Sequence, residues 1–152
     1  MAATDIENAL VAYLKATPEV TALIGAGDSA RIYPEAASQD PALGDHLVYQ
    51  EVSFQKVGSL DGQEAMGASR IQVDCYGLTN ARAKALARAV RKAKGGVAGG
   101  RELDGYEGAW DGVKVWACFV EDRRGDPVPP EHGEAGPYRR RILDVIVHHN
   151  EP

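Results

Sequence analysis

The sequence predicts an α+β fold: a mainly antiparallel four-stranded sheet, helices packed on one of its faces, and a long arm between the first two strands. Three observations predict it. Ile71, Val73 and Cys75 alternate with Gln72, Asp74 and Tyr76, the two-residue period of a strand with one buried face. Ala83, Leu86, Val90 and Ala93 repeat instead at helical spacing, soon after that strand. The elements come in the order helices, two strands, helix, two strands, which suits one helical layer on one sheet.

Thr4 and Glu7 form a capping-box pattern, in which the Thr hydroxyl serves an orphan amide and Glu7 reaches back. Behind it Ile6, Leu10, Tyr13 and Leu14 share one helical face over about three turns. Pro18 stops this helix, because proline disfavours helical geometry in the residue before it. The pair Thr17 and Pro18 then starts a second short helix, as cap and first position. Val20, Leu23 and Ile24 face inward there, and Gly25 ends it. Arg31, Ile32, Tyr33 and Pro34 are extended, and 35–45 reads as loop. Residues 47–54 form the first long strand. Gly58, Gly62 and Gly67 punctuate the polar arm that follows, with Leu60 and Met66 isolated in it. Such a stretch is longer than hairpin closure requires, and loops of that kind tend to be functional.

Residues 69–76 form the second strand and 79–94 the alanine-rich helix, whose small side chains let it lie close to a sheet. Gly95, Gly96, Gly99 and Gly100 end that helix and open a flexible linker to about Gly112. The third strand covers 113–121, with Val113, Val115, Ala117 and Phe119 on one face. A second long loop, rich in Pro, Gly and charge, fills 123–137. The last strand, 138–149, puts Leu143, Val145 and Val147 on one face and Ile142 and Ile146 on the other. Apolar residues on both faces predict a strand covered on two sides. No internal repeat is present, and residues 1–152 read as a single domain.

The net charge of −5 speaks mildly against general nucleic-acid binding, but the average hides an asymmetry. The helix at 79–94 holds Arg82, Lys84, Arg88, Arg91, Lys92 and Lys94 and no acid. Subtracting its +6 from −5 leaves −11 for the remainder. Opposite charges segregated on one chain complement each other between copies, although a basic helix face is most often simply solvated. Cys75 and Cys118 sit in strand-like apolar runs with no C-x-x-C pairing, so buried free thiols are expected, as in a reducing cytoplasm. The first residues lack a signal peptide's basic start and apolar run. No apolar run approaches the ~20 residues of a membrane span, so no membrane partner is expected.

Chemistry-bearing constellations are sparse. His148 and His149 point to opposite faces of a strand, and His132 lies in a loop, so the three lack zinc-ligand spacing. His46 stands alone before a strand. Ser53, Ser59 and Ser69 lie in no nucleophile elbow. Glu51, Asp74, Glu121 and Asp122 are scattered acids. The glycines at 95–100 follow a helix rather than opening one, which is the wrong order for a phosphate cradle. The sequence therefore predicts no enzyme, no metal and no cofactor.

In order, Val20 to Gly25, Arg31-Ile-Tyr-Pro34, the strand opening at Leu47, Gly62, Arg70-Ile-Gln-Val-Asp-Cys-Tyr76 and the alanine-rich helix form a pattern. It resembles the tail-completion or tail-terminator proteins of long-tailed bacteriophages, prophages and gene-transfer particles. The resemblance covers about residues 5–94 and returns at Tyr138, Arg140, Leu143 and Asp144. It departs at the glycine-rich 95–112 and at the Pro/Gly loop 123–137. What it implies is an α+β protomer of a homo-oligomeric, six-membered ring in the virion tail or neck, made in the host cytoplasm. Such a ring caps the tail tube and joins it to the head connector, so the implied partners are other copies, the major tail tube protein, and the connector or stopper. Transient contact with passing DNA is a further expectation.

Candidate interface residues are Arg82, Arg88 and Arg91 on the basic helix, and Leu60, Asp61 and Met66 on the arm. A ring needs two different complementary patches on each copy. The alternatives are a neck or stopper protein on the capsid side, a small hydrolase or metal enzyme using Glu51, Asp74 or the C-terminal histidines, and a small-molecule-binding oligomer.

Overall fold

The computed structural model describes residues 5–34, 44–57, 66–97, 99–110, 112–124 and 139–150. Helices α1 (Ile6–Lys15) and α2 (Pro18–Ile24) lead through a short turn to strand β1 (Ile32–Pro34). Strands β2 (His46–Val57) and β3 (Met66–Gly77) precede helix α3 (Asn80–Arg91). Strands β4 (Gly108–Trp110), β5 (Val113–Arg124) and β6 (Arg139–Asn150) complete the order.

The six strands form one sheet in the order β1-β2-β3-β6-β5-β4. Its centre is four strands of twelve residues each, all antiparallel, which is the predicted sheet. The correction lies at the margins. β1 adds to β2 in parallel, and β4 adds to β5, so the sheet is six-stranded and mixed. Three-residue strands are too short to display an alternation that a sequence reading can detect.

The arm is shorter than expected, because the ladder takes both of its ends. β2 continues to Val57, which pairs with Met66 at the start of β3. Leu60 and Asp61 lie outside the described residues. Gly67 belongs to β3, and the Phe54 ring occupies the place where a Cβ would stand. Close approach of a ring explains a glycine in a strand.

Helices cover one sheet face. Ile6, Leu10 and Leu14 of α1, Val20 and Ile24 of α2, and Leu86, Ala87 and Val90 of α3 pack on Leu47, Ile71, Val73, Leu143, Val145 and Val147. Each fully buried Leu or Ile contributes about 1.5–3 kcal/mol. The other face carries no helix among the described residues, yet Asp74, Ile142 and Asp144 are buried on it. Arg70 reaches across that face to Asp144 at 2.9 Å. The predicted single buried face of β3 is therefore only half the description.

Local chemistry corrects three further expectations. The cap of α1 is Asp5, whose carboxylate accepts from the Asn8 amide at 2.9 Å, and Thr4 lies outside the described residues. Glu7 turns away from the helix end and accepts from the Glu51 amide at 3.1 Å. Thr17 sits at the start of α2 but makes no cap bond there. Its buried hydroxyl donates to the Tyr13 carbonyl and accepts from the Gly95 amide, joining α1 to the chain beyond α3.

The expected linker at 95–112 is a packed connection. Leu103 is fully buried, and the Gly105 amide donates to the Cys118 carbonyl of β5 at 2.8 Å. Tyr13 donates to the Ala93 carbonyl at 2.6 Å and sits 5.3 Å from both Tyr106 and Trp110, ring centre to ring centre. Gly95 has φ +64°, and a Cβ there would lie 2.6 Å from the Tyr13 ring. The glycine serves close approach, not freedom.

In β5 a bulge overturns the predicted inward face. Val115 pairs with His149 and Ala117 with His148, so Trp116 is one residue more than the ladder needs. The parity flips there. Val113, Val115, Cys118 and Val120 are buried, while Phe119 is exposed.

Candidate assembly surfaces

Helix α3 begins at Thr79, whose hydroxyl accepts from the Arg82 amide at 3.1 Å. Ala83, Leu86, Ala87 and Val90 bury one side of it. Lys84, Arg88, Arg91 and Lys92 fall four, three and one residues apart and so share the opposite side. Arg88 and Arg91 lie in the last turn, where positive charge complements the helix's negative end. Among the described residues, no carboxylate stands within ion-pair distance of Lys84, Arg88, Arg91 or Lys92.

Arg82 is placed differently from its two companions. Its Nε donates to Asp45 just before β2 at 3.0 Å, and Asp45 is buried. That ion pair ties α3 to the sheet within one chain. Arg88 is exposed and Arg91 half-buried, the latter offering its carbonyl to the Asp104 amide. Met66 opens β3, with its backbone paired to Val57 and Asn150, so it stands in the ladder and not at the tip of an arm.

Four of the acids and histidines weighed for catalysis fall into two places, and His132 lies outside the described residues. Glu51, Ser69 and His149 come together on β2, β3 and β6. Ser69 Oγ lies 2.7 Å from His149 Nε2 and 3.4 Å from a Glu51 oxygen. His149 Nδ1 faces the Asn150 carbonyl at 2.7 Å, which fixes the proton on Nδ1 and makes Nε2 the acceptor of the Ser69 proton. Ser69 is fully buried, so its short bond to His149 ties β3 to β6, Glu51 stands by as a 3.4 Å neighbour on β2, and the Ser69 hydroxyl is not offered at the surface. Asp74 lies on the other face, beside Gln72 and Arg140, and His148 packs edge-on against Phe119 there.

His46 is buried and stacked on Tyr76 at 4.9 Å, and burial lowers its pKa. Burial pushes the Cys75 thiol well up and the Cys118 thiol up to about 12. Among the described residues, no three His, Cys, Asp or Glu side chains converge as a metal site. No helix among them is long and apolar enough to cross a membrane. The aromatic corner of Tyr13, Tyr106 and Trp110 was missed by the sequence reading. Its signal was two aromatic residues inside a run read as glycine linker.

Residues 8–94 match the model of a family described as Tail completion protein gp17. That is 87 of the 152 residues, from α1 to just beyond α3. No curated protein sequence matches significantly. Among solved structures, a chain in the virion of the native gene transfer agent particle is similar, with a TM-score of 0.66. The match covers 96% of this chain and 95% of that one at 18% identity, so it extends the shared fold through β4, β5 and β6.

Proposed function

The chain belongs to the tail completion protein gp17 family, and on that premise we propose that it is the ring-forming terminator of a phage-type tail. Copies close into a ring, six-membered by expectation, that caps the tail tube and presents a second surface to the head connector. Residues 1–152 act as one unit in this reading. Its mechanism is geometric and needs no cofactor: the ring occupies the growing surface of the tube, and growth stops because the ring's other face differs.

The observation that carries the self-assembly part is the basic face of α3. Lys84, Arg88, Arg91 and Lys92 lack an acid within reach among the described residues of a chain whose net charge is −5. An acidic surface of the next copy supplies what the described residues do not. Head-to-tail contact of two unlike patches is the interface type that closes rings. Arg82 enters this pairing with its charge already shared with Asp45. The arm residues Leu60, Asp61 and Met66 remain proposed contacts.

The test is a charge reversal, Arg88→Glu with Arg91→Glu, read by ring formation and by the length of tubes grown from tail-tube subunits. The expected result is a folded monomer that no longer shortens tubes, at least tenfold weaker in assembly. Rings and short tubes at the wild-type level would refute the basic-face contact. Copurification with connector and not with tube would move the protein to the capsid side.

A further inference from the structure

Helix α1 marks two opposite margins of the sheet. At its start, Glu7 accepts from the Glu51 amide of β2. At its end, Tyr13 packs on Trp110 of β4. From Glu7 to Tyr13 the helix rises about 9 Å, and the side chains at both ends, with Trp110, span the rest of the four strand spacings, about 19 Å, between β2 and β4. One helix and its end side chains thus link one side of the protomer to the other.

The β2 margin is a ridge. β1 covers β2 only from Leu47 to Tyr49. Beyond that point a register shift makes Val52 an extra residue, and it stands 51% exposed, with Phe54 at 42%. Asp5, Glu7 and Glu51 gather beside them. Glu7 is half-buried, and its pKa is raised by burial first, with the Glu51 and Asp5 charges adding to it. Three acids crowd one edge.

The β4 margin is a groove. It holds about 530 Å³ between α1, the connection after α3, and β4. Ala9, Ala12 and Ala16 form a floor of small side chains, Tyr13 and Trp110 a wall, and Val97 an exposed apolar lip. Lys94 and Arg101 line it and are exposed, which gives the groove a basic rim. Glu107 also lines the groove, 3.8 Å from Arg101, with both side chains about two-thirds exposed, which is a weak pairing.

We propose that the β2 ridge of one copy seats in the β4 groove of the next, with Val52 as the anchor and Asp5, Glu7 and Glu51 facing Lys94 and Arg101. The occupant is a second copy because one chain carries both halves of the match in shape and in charge. An apolar anchor in a small-residue groove with a charged rim is the arrangement that central contacts of interfaces use. Ridge and groove lie on opposite margins, so each docked copy leaves one of each free and the next copy adds in the same sense. The contact is heterologous and closes only as a ring. This inference rests on the self-assembly reading above and adds a second pair of surfaces to the basic face of α3.

The experiment separates the two. Val52→Glu spoils the ridge and Ala12→Trp fills the groove, both at exposed positions. Under conditions where the wild-type protein forms rings, each variant alone is expected to remain monomeric by light scattering. An equal mixture is expected to stop at a dimer of one copy each, because one intact ridge and one intact groove remain. Rings from either variant, or a mixture that does not pair, would overturn the assignment while leaving the ring reading intact. A wild-type chain that never leaves the monomer, alone or on tubes, would overturn both. Should either variant fail to fold, a chain carrying Val52→Cys and Ala12→Cys serves in its place. Mild oxidation should then give a ladder of cross-linked multiples, and monomer alone would overturn the assignment.

Discussion

Glu7 is held where its charge is unwelcome. Burial lifts its pKa above the usual 4.5, and the charges of Glu51 and Asp5 add to the lift, against the opposing hydrogen bond from the Glu51 amide. An acid raised in this way binds its proton more readily in the folded chain than in the unfolded one. Its favourable contribution is complete below about pH 4.5 and is lost as pH rises through the folded value. Glu7→Gln keeps an acceptor for the Glu51 amide and deletes the charge. In thermal melts of the monomer, the variant should unfold at a higher temperature than the wild type at pH 7, and the gap should close below pH 4.5. Equal melting temperatures at pH 7 would show that the crowding of acids costs nothing. Residue roles were the least legible part of the sequence. Thr4 and Glu7 have the spacing of a capping box, yet Asp5 holds the cap, because a sequence pattern cannot know that β2 brings an amide to Glu7. Arg82 looked equivalent to Arg88 and Arg91 until folding set Asp45 beside it.

At the scale of elements, the long ones were legible and the short ones were not. The hydrophobic periods of α1, α3, β3 and β6 repeat often enough to be read, whereas β1 and β4 are too short to show a period. A bulge defeats periodicity by its nature, and one extra residue at Trp116 exchanged Ala117 and Phe119 for Cys118 and Val120 on the inner face. The glycine run after α3 was misread because composition cannot separate a chain that bends freely from one that must pass close to a ring. Two alanine substitutions distinguish these. Gly99 has φ +73° with open space around it, so Gly99→Ala should cost only the left-handed backbone penalty of about 1–2 kcal/mol. Gly95→Ala adds a clash with the Tyr13 ring, which itself bonds to the Ala93 and Arg101 carbonyls. In urea unfolding its midpoint should fall at least twice as far, with the slope unchanged. Equal shifts would mean that the packed connection is looser than its hydrogen bonds imply.

For the whole molecule, the central four strands and the helical face followed from the sequence, and the family pattern read over about residues 5–94 overlies the residues 8–94 that its model matches. What one sequence leaves out is how copies meet. An interface depends on two surfaces at once, and the ridge at Val52 exists only after β2 has bulged, just as the groove exists only after β4 has docked on α1. A protomer with unlike margins and a one-signed helix suits a part whose work is to fit between others. The decisive measurement is the mass of the purified protein alone and on tail-tube subunits, with electron images of both. The account predicts closed rings of fixed copy number, seated at one end of tubes whose growth has stopped. Monomers in both samples, with tube ends bare and tube lengths unrestricted, would contradict it.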